Sequence, residues 1–339
     1  MTEFPPILSI IIVNYNVKEY ILNCIQSIQD KIDANRCPYE VIVSDNGSVD
    51  GSVEAIRERF PWVKVIENNA NLGFGKANNI GAEQAEGEVL FFLNPDTLII
   101  KGIEEMVEYV MEHKEVGIMG PVIYNANNKI DDTTSLIIYS PFKLFLSFYF
   151  YTYLKKQRQD ITTYIRSQFA SEVDSISGAC ILMRKNLFND IKGFDEIFFF
   201  GMEDIDICIR IKQNGYTIKV FPLAEIVHLG GKAFIKVSDE ISNRGAIQTC
   251  YFYKKHYPFS VLFVYLNIIT FFLLRLFVSL IKTSYYRLSN DKTVLKEREN
   301  IIHQSWIILK SYLTIKTIRF LFLVNINKIV KFKDGIISH

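Results

Sequence analysis

The chain has 339 residues, is 49% hydrophobic and 14% aromatic, and carries a formal net charge of +1. That length holds one large domain or a domain with an extension, and the balanced charge lacks the global field of a nucleic-acid binder. The average hides an asymmetry, because residues 251–339 contain fourteen Lys/Arg against four Asp/Glu, a net of +10, which leaves the first 250 residues at −9.

From residue 8 to residue 121 the pattern alternates. LSIIIVN reads as a strand, 18–32 as an amphipathic helix, EVIVSD as a strand, and 51–60 as a helix capped by Ser48 or Asp50. VKVIEN is a third strand, 74–86 a helix and VLFFL a fourth strand. Such alternation predicts right-handed βαβ units, an α/β fold with a Rossmann-like, mostly parallel sheet flanked by helices. Ligands of these sheets bind beyond the carboxyl ends of the strands. The groups delivered there are Asn14 and Asn16, Asp45 to Ser48, Asn68 to Asn71, and Asn94 to Asp96. Each alone is ordinary turn chemistry; four at one edge predict a binding cleft. The fourth strand breaks at Asn94-Pro95-Asp96 before TLII resumes. Proline stops the ladder there and leaves a carboxylate aimed outward.

Residues 125–172 lose this rhythm. YSPFKLFLSFYFYTYLKK (139–156) is aromatic and apolar but too short and interrupted to span a bilayer. A strand pattern returns in SISGACILMRK (175–185). An aromatic loop, GFDEIFFFGM, then leads into a helix from about Glu203 to Asn214, ended by Gly215 and followed by a strand. Beyond 257, Val261–Ile281 is nearly long enough to cross a membrane, with Asn267 and Arg275 inside it. Residues 306–332, with Lys310, Lys316, Arg319, Lys328 and Lys331, read as an interfacial helix drawn to anionic lipid, or as a helix packed on the rest of the protein or on a second subunit. The five cysteines (Cys24, Cys37, Cys180, Cys208, Cys250) include no CxxC, which argues against a disulfide framework or zinc site and for a reducing compartment. The opening MTEFPPILSIIIVNYN lacks the basic flank and apolar length of a signal peptide.

Several side chains in the expected cleft have chemistry to offer. Asp45 can accept the imide N–H of uracil or thymine, or simply close an Asx-turn. In NANLGFGKANNIG, Asn71 and Gly73 form a loop that admits a close ligand, and Lys76 can meet a phosphate or stand solvated at a helix start. Asp96 is a candidate ligand for a hard divalent cation, sufficient where a diphosphate supplies the remaining oxygens. Asn94 positions that loop, and His228 in AEIVHLGG is a second candidate ligand. Glu203 and Asp204 open a helix, where the macrodipole favours negative charge, and they also suit a general base beside a partly apolar pocket.

The ordered set SIIIVNYN, VIVSDNGSVDGS, NLGFGKANNIG, LFFLNPD, SGACILMRK and GFDEIFFFGMEDIDICIRIKQNGY, then His228, resembles glycosyltransferase family 2 in its rhamnosyltransferase-like branch, over roughly residues 7–231. The resemblance implies a GT-A fold and inverting transfer from a nucleotide-diphosphate sugar. By branch the donor is dTDP-L-rhamnose, with UDP-sugars left open. It places Asn14, Asn16, Asp45, Asn71, Lys76, Asn94 and Asp96 around the donor and Mg²⁺ or Mn²⁺ on Asp96 and His228. Asp204 becomes the catalytic base, and Gly178, Asp195 and Glu203 fall on the acceptor side or in support. Asn94 departs from the first Asp of a DxD motif, which leaves one carboxylate fewer on the metal. The implied organisation is a nucleotide-sugar half (1–124), an acceptor and base half (125–256) and a membrane-associating helical region (257–339). The nucleotide sugar is the implied partner, while the aromatic stretches 139–153 and 194–200 and the basic carboxyl-terminal helices suggest a glycan acceptor on a polyprenyl diphosphate at the cytoplasmic face of the cell membrane, with the protein bound peripherally or through one segment. Two rivals fare worse. A sugar nucleotidyltransferase needs a Gly-rich, Arg-containing loop after the first strand, where this chain has IVNYNVKEY. A silent scaffold has no need of Asp96, Asp204 and His228 together.

Overall fold

The computed structural model describes residues 5–131, 134, 140–149, 170–230, 239–289, 292–314 and 317. Lys316, Arg319, Lys328 and Lys331 of the basic stretch, and residues 150–156 of the aromatic one, lie outside the described residues. The chain divides into two compact units, residues 1–138 with 155–235, and residues 139–154 with 236–339.

In the first unit the elements run β1 (Leu8–Asn14), α1 (Lys18–Lys31), β2 (Tyr39–Asp45), α2 (Ser52–Arg59), β3 (Lys64–Glu67), α3 (Phe74–Glu83), β4 (Val89–Leu93), β5 (Thr97–Lys101), α4 (Ile103–Glu112) and β6 (Val116–Asn125). After α5 (Pro141–Tyr149), which belongs to the second unit, come β7 (Ser171–Glu172), β8 (Cys180–Arg184), α6 (Lys185–Asp190), α7 (Glu203–Gln213) and β9 (Thr217–His228). The sheet order is β3-β2-β1-β4-β8-β6-β9-β5, with β7 also pairing β9. The first four strands are parallel, as their alternation with helices requires. Beyond β4 the sheet is mixed, with β8 antiparallel to both neighbours and β6 parallel to β9.

Successive strand residues face opposite sides, so a sheet covered on both faces needs apolar side chains at every position. Ile10, Ile12, Val41, Val43 and Phe91 pack on one face with Ile21, Ile25 and Ile28 of α1 and Met106 and Val110 of α4. Ile11, Ile42, Phe92 and Ile181 pack on the other with Ile207 and Ile211 of α7. Each such side chain stabilises the unit by roughly 1.5–3 kcal/mol.

Two local expectations are corrected. The cap position of α2 is Gly51, in the left-handed region at φ 75°, and not Ser48 or Asp50, although Asp50 Oδ1 still accepts the Ser52 N–H at 3.1 Å. The strand expected from Ser175 begins only at Cys180. A turn, closed by Cys180 N–H donating to the Ser177 carbonyl, occupies the intervening residues, and the Gly178 N–H is taken by Asp204.

A bulge in β9 matters for the site. Pro121 of β6 lies opposite Phe221 and Val122 opposite Glu225, so residues 222–224 are extruded around Pro222, which has no N–H to pair. Past the bulge, His228 lies opposite Asn125 on one side and Thr97 of β5 on the other.

The second unit adds α8 (Asp239–His256), α9 (Val261–Ser289) and α10 (Lys292–Tyr312). Tyr265 donates its hydroxyl to the Tyr312 carbonyl at 2.9 Å, and Phe148 of α5 stacks on Phe271 with centroids 4.3 Å apart. The 29 residues of α9 extend beyond the stretch expected from sequence and span about 43 Å, against a hydrocarbon core of about 30 Å. Within Pro258–Ser284 an 18-residue window reaches a mean hydropathy of 2.3 and is mostly unburied, with Leu262, Phe263, Leu266, Leu273, Leu274 and Phe277 exposed. Among the described residues it is the one helix long and apolar enough to cross a membrane.

Candidate active site

The carboxyl ends of β1, β2 and β3 are knitted by side-chain amides. Asn14, wholly buried, donates through Nδ2 to Asp45 Oδ1 at 2.7 Å and to the hydroxyls of Ser48 and Ser52. Asp45 Oδ2 accepts the backbone N–H groups of Gly47 and Ser48 at 3.0 and 2.9 Å. Three of the roughly four acceptor positions of that carboxylate are therefore taken within the protein, which leaves capacity for one further donor. Asn14 Oδ1 is buried without a partner among the described residues. Asn16, exposed and left-handed at φ 55°, accepts the Val49 N–H at 2.8 Å and so pins the 46–50 turn.

Asn71 Oδ1 closes an Asx-turn on the Gly73 N–H at 3.1 Å and meets Asn46 Nδ2 at 3.3 Å. Gly73 adopts φ 85°, and a Cβ there would strike the Phe199 carbonyl oxygen, whose partner is the Phe74 N–H at 2.8 Å. Glycine is thus required twice over, for conformation and for close approach. Lys76 is exposed in α3 and has no partner among the described residues.

After β4, Asn94 works through its backbone. Its N–H donates to the Ala179 carbonyl at 2.9 Å, and its carbonyl accepts the Thr97 hydroxyl at 2.7 Å. Two residues on, Asp96 is buried with Oδ1 3.2 Å from His228 Nε2. Burial pulls the His228 imidazole down, but the hydrogen bond and charge of Asp96, with the charge of Asp131, outweigh it and leave the pKa raised. The two side chains meet because β5 and β9 pair with Thr97 opposite His228.

Asp204 lies in the first turn of α7. Its Oδ2 accepts the Gly178 N–H at 3.0 Å and its Oδ1 the Ile205 N–H at 2.8 Å. Burial raises its pKa, and those two N–H groups oppose the rise. A Cβ at 178 would lie 3.3 Å from the Phe74 ring and in ordinary contact with Asp204, so the turn packs closely against both. Since Gly178 precedes Ala179, whose carbonyl accepts the Asn94 N–H, the Asp204 carboxylate is linked through two hydrogen bonds to the loop that carries Asp96. Glu203 is buried beside it, and Asp195 Oδ1 accepts the Ile197 N–H at 3.1 Å in a loop turn. Asp45 stands apart from these, two strands from β4, or roughly 10 Å at ordinary strand spacing.

Sequence reasoning missed several partners. Asn46 bonds the Gly73 carbonyl at 3.1 Å, Asp131 acts on His228, and Asn79 exchanges two hydrogen bonds, both 2.9 Å, with the Phe194 backbone. Only Asn46 carried a local signal, as the residue after Asp45 in the turn.

The pair Asp96 and His228 offers one oxygen and one nitrogen ligand. Among the described residues no cluster of three or more His, Cys, Asp or Glu could hold a metal by itself. Two side chains nevertheless suit a divalent cation that takes its other ligands from a diphosphate; imidazole is a better ligand for Mn²⁺ than for Mg²⁺. A separate cavity of about 370 Å³ opens at the amino end of β4, lined by Glu86, Glu88, Lys114, Arg184 and Lys185. Its Arg184 is committed to the carbonyls of Val110, His113 and Lys114, so we read it as a structural cleft.

Comparisons with known proteins fit this geometry. The family described as Glycosyl transferase family 2 matches residues 9–191, and one described as N-terminal domain of galactosyltransferase matches 162–230. The N-acetylglucosaminyl-diphospho-decaprenol L-rhamnosyltransferase of Mycobacterium tuberculosis is 29% identical over 216 residues, covering 58% of this chain and 68% of that protein. Rhamnosyltransferase WbbL of Escherichia coli is 26% identical over 231 residues, 65% of this chain and 82% of that one. The mannosyltransferase PcManGT of Pyrobaculum calidifontis, solved with GDP-Man and Mn²⁺, shares the fold at TM-score 0.53 and 16% identity, covering 94% and 88% of the two chains. GalNAc-T7, solved with UDP, GalNAc and Mn²⁺, gives 0.52 at 16% identity, over 75% of this chain and 51% of that one. A family match over more than half the residues, on a GT-A sheet, leads to one assignment: the chain belongs to glycosyltransferase family 2.

Proposed function

We propose that the protein is an inverting rhamnosyltransferase that moves L-rhamnose from dTDP-L-rhamnose to a hydroxyl of a lipid-linked, cell-surface glycan at the membrane. The observation that carries the catalytic part is the contact of Asp96 with His228 on the same loop system that Gly178 ties to Asp204. The donor sugar is supported by the two relatives named as rhamnosyltransferases. The lipid-linked acceptor is supported by the decaprenol in one of those names and by the exposed apolar face of α9.

In this reading Asp45 keeps one acceptor position for the imide N–H of thymine, with Asn14 and the 46–48 turn orienting its carboxylate. Asp96 and His228 would hold a divalent cation, which supplies charge neutralisation at a leaving diphosphate. Asp204 takes the proton of the acceptor hydroxyl as that oxygen bonds to the anomeric carbon. The bond from that carbon to the diphosphate oxygen breaks, and its electron pair leaves with the diphosphate. One displacement inverts the configuration, so one base suffices.

A panel of dTDP-, UDP- and GDP-sugars, scored by protection against melting and by transfer, tests the donor. Selective response to dTDP-L-rhamnose is expected, and response to a UDP-sugar alone would replace it. For the acceptor, equal kcat/KM on a short water-soluble glycan and on its polyprenyl-linked form would remove the lipid from the proposal.

A further inference from the structure

The first turn of α7 holds three carboxylates, and each has a different environment. Asp206, fully buried, accepts Arg210 Nε at 2.8 Å one helical turn away, and Arg210 Nη1 is anchored on the Ile191 carbonyl at 2.7 Å. Asp204 is held by two backbone N–H groups. Glu203 is 4% exposed, and its Oε2 has no partner among the described residues. Among those residues the charged groups acting on it are Asp204 and then Asp206, both negative; the nearest cation on the helix, Arg210, is already bound to Asp206. The backbone N–H groups of Gly201 and of Glu203 itself favour the ionised form, but burial and the two neighbouring carboxylates outweigh them, so an ionised carboxylate so placed would suffer desolvation that is only partly offset, whereas a carboxylic acid would not.

We propose that Glu203 is carried as an uncharged carboxylic acid beside Asp204, so that the pair holds one negative charge, on Asp204, and no second charge meets the incoming diphosphate. The proposal rests on the reading of Asp204 as the base. Burial first, and the charge of Asp204 second, push the Glu203 carboxyl up to about 8. Its ionisation therefore falls in mildly alkaline solution, where the added charge repels the donor.

The test uses the full chain as wild type, E203Q and D204N, with initial rates measured from neutral to alkaline pH. Wild type should show a donor KM that rises above pH about 8, with kcat changing less. E203Q should keep neutral-pH turnover within about threefold of wild type and lose that rise. An infrared difference spectrum of wild type against E203Q should show the C=O band of a protonated carboxyl at neutral pH, fading with the same midpoint. Should E203Q not fold, ¹³C-glutamate labelling of wild type locates the same band. An alkaline limb unchanged in E203Q, a missing band, or an E203Q as inactive as D204N would each overturn the proposal. Unchanged turnover in D204N would remove the base reading separately, because the infrared band reports Glu203 without reference to activity.

Discussion

Asp45 and Glu203 are buried alike, at 2% and 4% exposure, yet they stand in opposite surroundings. Asp45 closes β2 amid three donors, from Asn14, Gly47 and Ser48. Glu203 opens α7 beside two carboxylates, with Oε2 unpartnered among the described residues and only the Gly201 and Glu203 N–H groups favouring its charge. The same degree of burial thus goes with a well-satisfied carboxylate group at the β2 turn and an acid resistant to ionisation at the α7 turn. Partner supply, not depth, decides how a buried carboxyl behaves.

The strongest way to break this contrast is to show that the α7 turn does no chemistry. Asp204→Asn should lower turnover by about 10²–10⁴, the usual contribution of a general base, while calorimetry finds donor affinity changed less than about twofold. Asp45→Asn and Glu203→Gln then make the same chemical change at the two sites, and their effects on stability should have opposite signs. Asp45→Asn sets a neutral amide against three donors aimed at a carboxylate, and denaturant titration should show a loss of roughly 2–4 kcal/mol.

For Glu203 the folded pKa of about 8 lies above the ordinary 4.5. The folded protein holds that proton more tightly, so the contribution is fully present below the ordinary value and is lost as pH rises towards 8. Glu203→Gln is exempt and should exceed wild type at pH about 9 by roughly 1–4 kcal/mol, with the gap closing in acid. Equal denaturation midpoints for the two proteins at both pH values would dissolve the comparison. The smallest effect is expected at Asn79, whose amide clasps the loop between the two regions. Asn79→Ala should cost about 1–2 kcal/mol in thermal melts by stranding the Phe194 N–H and carbonyl.

The carboxyl edge of β1 to β4 was the more legible in sequence, and the reason is local. Asn14, Asp45, Asn71 and Asn94 end or follow strands whose apolar runs announce themselves, so their common edge follows from periodicity alone. The cation pair did not. His228 reaches Asp96 past the bulge at Pro222 and because β5 leaves the parallel array to pair antiparallel with β9; the sequence offered it as a second candidate ligand, and family resemblance strengthened that reading, but no local signal joined it to Asp96. Asn79, Phe199 and Asp131 carried no readable signal, since each acts across a tertiary contact that no window of sequence spans. The Gly51 cap was misplaced because Asp50, a good capping residue, sits one position earlier and still bonds Ser52.

One feature of the sheet bears on how the first unit can move. Strand β8 meets β4 through five aligned residues but meets β6 through the single rung of Met119 and Leu182. Strands β1 to β4 and the strand that bears His228 are thus stitched together along a sparse seam. Amide protons beside it should exchange sooner than those of β1 and β4, because the two parts of the sheet can separate along this line without either one unfolding.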